Sequence, residues 1–508
     1  MRRGAWLVAL VVFAAACNGG GGDEGPTSGG VLRVAGRGLG ALDPAQAVEP
    51  ARVAAADLVF DTVVGYSPET GEAQPLLATE WTVSEDQRRF TFTLADDAEF
   101  HDGSPVTADD VKASWERVVA PDTGSPVAGL LAAVDGFAQA RDGTAGLAGI
   151  RARDDRTLVV ELTAPQSDFV LNLTHPALGV LPEGRMRPRR KPVGSGPFRV
   201  ERVEEGILEL RAAEGHDVFL DGVELHDVER SRQAIGAIED GGADAAMLRG
   251  TSKAPDDTTI ATGDYLAVGY YALNLRNPKF ADERVRAAIV LAIDGEAVVE
   301  VGYGGSAGTA SGIVPMIAAG AGDDVCEGRC GPDRARAEQL LSEVFGQAPP
   351  PTIFLDYDDS SLQQRVAEEL QRQLGEVGIT AELRAHPAEE YDDFLVNGDP
   401  EMFRFGWVGE VPAAREFLTP VFVPDAPENV LGVRPPDLVP SLTAAAEATN
   451  GEQRAAAYET AQESVLDQWC VIPLAQFTTR YAAAEGVRDL EVTPFGSFDA
   501  TAVWIEDR

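Results

Sequence analysis

An α/β fold in two or three domains is what this sequence predicts. The chain has 508 residues, 44% of them apolar, which is more than a single hydrophobic core usually supports. From residue 351 onward, strand and helix patterns alternate over 352–357, 361–377, 379–385, 387–396 and 402–406. Leu362, Val366, Leu370, Leu374 and Val377 recur at helical spacing, whereas Ile379, Ala381, Leu383 and Ala385 alternate. Such a β-α-β-α-β run builds a parallel sheet with right-handed crossovers. Upstream, Phe90, Phe92 and Leu94 alternate with polar or small residues, and turn residues 101–105 lead into a helix. Thr107 and Asp110 form a capping box there, and Val111, Trp115 and Val118 fall on one helix face.

The N-terminus reads as an export signal. Arg2 and Arg3 precede an apolar run over 5–13 and three alanines before Cys17. That run is too short to span a bilayer. Small residues directly before a cysteine resemble a lipobox, so residues 1–16 are expected to be removed and Cys17 to carry a lipid. Residues 17–30 form a Gly-rich tether. The formal net charge of −40 argues against nucleic acid and against adhesion to anionic lipid, leaving the lipid on Cys17 as the expected membrane anchor.

The remaining cysteines are Cys326, Cys330 and Cys470. In an exported protein the first two are expected to close a small disulfide loop, with Cys470 buried and reduced, although its pairing with either stays open. A zinc site would need two further ligands, and no histidine lies near in sequence. His101, His175, His216, His226 and His386 are scattered, and His216 and His226 are expected to face solvent. No metal or cofactor is expected.

Two motifs with catalytic overtones fail on context. Gly36–Ala41 spells G-x-G-x-x-A, but a dinucleotide loop needs a helix at once, and Pro44 and Pro50 interrupt. Gly304–Gly308 spells G-x-S-x-G, yet a helical pattern precedes it and a Gly-rich loop follows, the reverse of a nucleophile elbow. An enzyme is therefore not expected. Helices are predicted over 54–63, 282–294 and 452–469, strands over 154–165 and 267–274, and a surface region of little pattern over 121–148.

Ligands of open α/β sheets sit beyond the carboxyl ends of the strands. Trp407 and Glu410 follow the strand at 402–406 there. An aromatic face with a carboxylate suits a ligand that carries an ammonium and apolar bulk. The alternative is that Trp407 is core and Glu410 a solvated acid. Arg404 either binds a ligand carboxylate or pairs with Glu410. Arg37, after the first strand, is either a cleft residue or a solvated loop arginine.

Residues 90–119, FTFTLADDAEFHDGSPVTADDVKASWERVV, closely resemble a segment of the family 5 extracellular solute-binding proteins, the oligopeptide, dipeptide and nickel receptors of ABC importers. YSPETGEAQPLLATEW (66–81), PVGSGPFRV (192–200) and YYALNLRNPKFADERVRAAIVLAID (270–294) are also similar. The resemblance implies a two-lobed, type II periplasmic-binding-protein-like fold with an inserted domain. Lobe 1 would comprise 31–66, 192–266 and 486–508, the inserted domain 67–191, and lobe 2 267–485. In peptide-binding members the acid of R-x-x-W-x-A-D-Y-x-x-P binds the peptide ammonium. Here Arg404 and Trp407 match and Glu410 takes the aspartate's place, while Val411, Ala413 and Ala414 depart from the pattern. A monomeric receptor is implied, delivering peptide or a similar small solute to permease subunits. The alternatives are a non-peptide ligand such as a nickel chelate or sugar, or a sensing lipoprotein without transport.

Overall fold

A computed structural model describes residues 25–506, apart from 188–190, 205, 251 and 323–324. The expected signal and Cys17 lie outside the described residues. One mixed sheet of eleven strands organises the chain. In one half, Val31–Gly36 runs parallel to both Gly222–Asp227 and Ala245–Leu248, and Ile207–Ala212 and Phe198–Glu204 extend the edge antiparallel. In the other half, Ile353–Asp358 lies parallel between Ala381–His386 and Met402–Val408, as the alternating pattern requires.

Two long strands join the halves. Thr258–Leu273 pairs antiparallel with Val471–Ala484 from Thr258 opposite Ala484 to Ala272 opposite Val471, with its register broken widely between Asp264 and Val268 and shifted again between Gly269 and Tyr270. The first part of this ladder pairs onward to Ala245–Leu248, and the second part to Met402–Val408. The strand predicted over 267–274 is thus only the end of a 16-residue strand. Its start, TTIATGD, is polar and half exposed, which hides it from any search for apolar alternation. Past the break both faces are covered. Leu266, Val268, Tyr270 and Ala272 enter one core with Phe417 and Leu431, and Tyr271 and Leu273 enter another with Ile289 and Leu370. Burial on both faces is why this part reads as a continuous apolar run.

A separate four-stranded antiparallel sheet contains Ala78–Val83, Arg89–Leu94, Thr157–Glu161 and Ile150–Asp154. The predicted strand over 154–165 is therefore a hairpin straddling Asp155 and Arg156. Helix Ala108–Val119 opens on the expected box, with the Asp110 amide donating to Thr107 Oγ1 at 3.3 Å and the Thr107 amide to Asp110 Oδ2 at 2.8 Å. Trp115 is fully buried, and its indole donates to the Leu178 carbonyl at 3.4 Å. Phe90, Phe92 and Trp115 share one continuous core with Leu32, Val223 and Phe498.

Several local expectations are corrected. Residues 121–148 are not a featureless surface, since Val127, Leu130, Leu131, Val134 and Leu147 are buried. They sit on turns as short as Ala128–Leu131 and Phe137–Arg141, too brief to show a period. The helix expected over 54–63 is Pro50–Val59, because proline is tolerated at the first helical position. The pattern over 282–294 is helix Glu283–Leu291, and a second helix, Gly295–Tyr303, starts where the Asp294 side chain accepts from the Ala297 amide. Cys326 and Cys330 form the expected disulfide, and Cys470 is buried and free. Burial pushes its thiol up to about 12.

Replacing Thr107 by alanine removes one side of the capping box and should cost about 1 kcal/mol. Chemical denaturation of the purified protein measures it.

Candidate ligand-binding cleft

The register break in the long ladder is where candidate binding residues gather. Tyr265 lies within it, and the next carbonyl, that of Leu266, accepts from the Gly409 amide at 2.8 Å. This bond ties the loop that follows strand Met402–Val408 to the junction between the halves. Glu410 comes next, with its side chain 51% exposed.

His175 faces it. The imidazole is buried at 3% exposure, and its Nε2 lies 3.6 Å from Glu410 Oε2. Its Nδ1 accepts from the Ala177 amide at 3.0 Å, so the neutral ring must carry its proton on Nε2, aimed at the carboxylate. Phe495 meets the imidazole edge-on at 5.2 Å between ring centres. Burial drives the His175 pKa down to about 4, so at neutral pH the ring is an uncharged donor. Glu410 is shifted the other way, raised first by burial and then by the charge of Glu416. Among the described residues no lysine or arginine forms an ion pair with Glu410.

The loop beyond Glu410 is pinned by a buried polar cluster. The Arg415 Nε donates to Asp168 Oδ1 at 3.0 Å, Tyr458 OH donates to Asp168 Oδ2 at 2.6 Å, and Arg415 Nη1 reaches Glu416 at 2.6 Å. Arg415 also donates to Asn172. Burial alone would lower the arginine pKa, but Asp168 and Glu416 outweigh it and hold the guanidinium charged. Ser167 adds two bonds, from its amide to the Ala446 carbonyl at 2.9 Å and from its hydroxyl to the Ala445 carbonyl at 2.7 Å. The residues around Asp168 are thereby fastened to the helices that follow Glu410.

The other sequence candidates disperse. Trp407 is half-buried opposite Val268 and packs on the core containing Tyr270. Arg404, three residues earlier in the same strand, faces the opposite side. Its Nε lies 3.4 Å from Asp358 and its guanidinium over the Tyr391 ring, so of its two alternatives the pair with Glu410 does not form. Arg37 is exposed and lines a cavity at the ends of the parallel strands in the first half. Sequence reading missed His175, Tyr265 and Phe495. The histidines were expected to be scattered and without a site, and only the fold brings His175 to Glu410. His386 is likewise not free, with its Nε2 2.8 Å from Asp356, whereas His216 is exposed as expected and His226, half-buried, lies 3.1 Å from Glu224.

Residues 72–429 match the family model described as the middle region of bacterial extracellular solute-binding proteins, family 5. The chain belongs to this family. Solute-binding proteins similar to it include the Escherichia coli periplasmic murein peptide-binding protein MppA, 27% identical over 86% of each chain, and the E. coli periplasmic oligopeptide-binding protein OppA, 26% identical over 80% of this chain and 79% of the relative. The unliganded open form of MppA superposes with a TM-score of 0.82 at 25% identity, covering 94% of this chain and 97% of that one. A second MppA structure, at the same identity, gives 0.64. The fold is therefore that of the two-lobed periplasmic binding proteins.

His175 makes a test of the cleft in the absence of ligand. Its folded pKa lies below the unfolded value near 6.5, so its contribution to stability is complete above that pH and is lost as pH falls toward about 4. The stability of wild type relative to His175→Gln should decline across this window by up to about 3 kcal/mol, measured by denaturation at each pH. A constant difference would contradict the buried, neutral assignment. Asp168→Ala should destabilise the protein by about 3 kcal/mol, by stranding Arg415, read in the same assay.

Proposed function

We propose that this protein captures peptides outside the cell membrane and delivers them to the permease of an ABC importer. The observation that carries the reading is Glu410: a carboxylate with no lysine or arginine ion pair among the described residues, 3.6 Å from the buried His175 imidazole and with its pKa raised, in the place that the family resemblance gives to the ammonium-binding acid. Such a group gains most from a ligand ammonium that arrives as the lobes close and water leaves. The aromatic Trp407 and Phe495 nearby supply apolar contact for side chains. The relatives named for peptides, MppA and OppA, support the same cargo.

The binding step is non-covalent, and no catalytic role is assigned. The export signal over 1–16 would be removed, and the lipid on Cys17 and the tether over 17–30 would hold a monomeric receptor beside its permease. Lobe 1, the inserted domain and lobe 2 keep the boundaries read from the resemblance. The long ladder between them is the natural hinge.

Titration calorimetry with short peptides tests this reading. Glu410→Ala should weaken peptide binding by about 3–5 kcal/mol, the penalty of an ion pair broken in a closed cleft, and acetylation of the peptide amine should do the same to wild type. Unchanged affinity in either experiment contradicts the assignment. Because the Glu410 pKa is raised, its charge is lost at higher pH than for an ordinary carboxylate. Peptide affinity should therefore fall on acidification before the usual carboxylate range is reached.

A further inference from the structure

The long ladder is one junction between the two halves, and a second junction lies outside the sheet. The segment read as the inserted domain shares one continuous core with lobe 1, in which Phe90, Phe92 and Trp115 meet Leu32, Val223 and Phe498. A core packed in this way transmits motion rather than absorbing it. Lobe 2 reaches into it. Val411 and Ala413, just past Glu410, are fully buried there, and Ala319 bridges to Ala413.

Polar contacts surround this apolar plug, most of them with one partner in the inserted domain and the other in lobe 2. Asp168 accepts from Arg415 at 3.0 Å and from the Tyr458 hydroxyl at 2.6 Å, and Asp168 and Tyr458 are each 2% exposed. The Ser167 amide and hydroxyl donate to the Ala446 and Ala445 carbonyls. Arg454, one helical turn before Tyr458, pairs with Glu72. At the edge of lobe 1, the Tyr66 hydroxyl donates to the Ile317 carbonyl at 2.9 Å.

Such a junction either parts when the lobes close or stays fixed while the rest turns. Magnitude separates the two. Parting it would leave Asp168 buried without its guanidinium, and stranding a buried charge weighs on an equilibrium by a factor of about a hundred or more. Shifting the lobes from 1:99 to 99:1 takes about ten-thousandfold differential affinity. On a logarithmic scale, about half of what the ligand supplies would be spent on breaking this contact. Keeping it needs only a suitable axis. The Gly409 amide on the Leu266 carbonyl fixes one end of the loop that carries Glu410 to the register break, and Arg415 fixes the other end to Asp168.

We infer that this junction is a second pivot: lobe 2 turns about an axis through the register break and the Asp168–Arg415–Tyr458 cluster. Glu410, on the loop between these two points, keeps its place beside His175 in the open and closed forms alike. This rests on the closure proposed above and adds its axis. A ladder alone permits twisting as well as closing, and a second fixed point leaves a single rotation, absorbed by a few residues at element boundaries.

A cross-link at the pivot tests it. In the full chain, Glu72→Cys with Arg454→Cys replaces both members of an ion pair, so no charge is stranded, and Cys470 is buried. A short bis-maleimide then joins the two new thiols on the folded protein. Small-angle X-ray scattering with saturating Ala-Ala-Leu compares the double variant before and after cross-linking, and calorimetry gives the affinity of each. The cross-linked protein should shrink as far as the unlinked one and bind within about twofold of it. A cross-linked protein that stays open, or that binds about a hundredfold more weakly, while the unlinked variant closes, overturns the pivot and makes the junction a latch that parts. Failure of wild type itself to shrink with bound peptide overturns the closure reading and the pivot with it.

Discussion

The antiparallel ladder between Thr258–Leu273 and Val471–Ala484 is the constraint on which this architecture depends. Both strands pass through both halves of the eleven-stranded sheet, so the lobes are joined by backbone hydrogen bonds as well as by side-chain contact. A continuous sheet resists rotation except where its ladder is interrupted. Of its two register shifts, the wider one, between Asp264 and Val268, coincides with Tyr265 and with the Leu266 carbonyl that accepts from the Glu410 loop. Hinge motion of this kind is absorbed by a few residues at element boundaries. The Gly409 amide on the Leu266 carbonyl ties the loop that carries Glu410 to this stretch, so under the proposed function a ligand that bridges the lobes would act beside the pivot.

Electrostatics decides what such a ligand must bring. The chain carries a net charge of −40, so an acid in the cleft is unremarkable by composition; what separates Glu410 from other acids is its surroundings. Asp168 and Glu401 are neutralised by Arg415 and Lys279, whereas Glu410 forms no lysine or arginine ion pair among the described residues and lies 3.6 Å from a neutral imidazole. The Asp168–Arg415–Tyr458 cluster fixes the loop before any ligand arrives, which lowers the ordering cost of binding. The superposition on an unliganded open structure fits a site that is built but not closed. Moving a two-state equilibrium from 1:99 to 99:1 takes roughly 5.5 kcal/mol of differential affinity, and a desolvated ammonium–carboxylate contact made only on closure is a source of that size.

What the sequence showed and what it hid follow from the range of the interactions. The parallel units after residue 351, the capping box at Thr107 and the Cys326–Cys330 loop rest on neighbours in sequence, and each stands as read. The polar beginning of the hinge strand carried no apolar alternation, because its faces are only partly covered. The buried turns over 121–148 were too short to show a period. Glu410 could be singled out by its place after a parallel strand, but its partner His175 could not, since nothing near that histidine announces a carboxylate. Arg404 misled for the opposite reason. Of its two alternatives, a ligand carboxylate or Glu410, the pair with Glu410 does not form, because strand alternation puts Arg404 on the face opposite Trp407, beside Asp358.

The central claim is that a peptide ammonium at Glu410 closes the two lobes about the ladder, and small-angle X-ray scattering measures that closure directly. Saturating peptide should reduce the radius of gyration of the wild-type protein and leave Glu410→Gln at its open value. Wild type that stays open with peptide bound, or a variant that closes as fully as wild type, would contradict it.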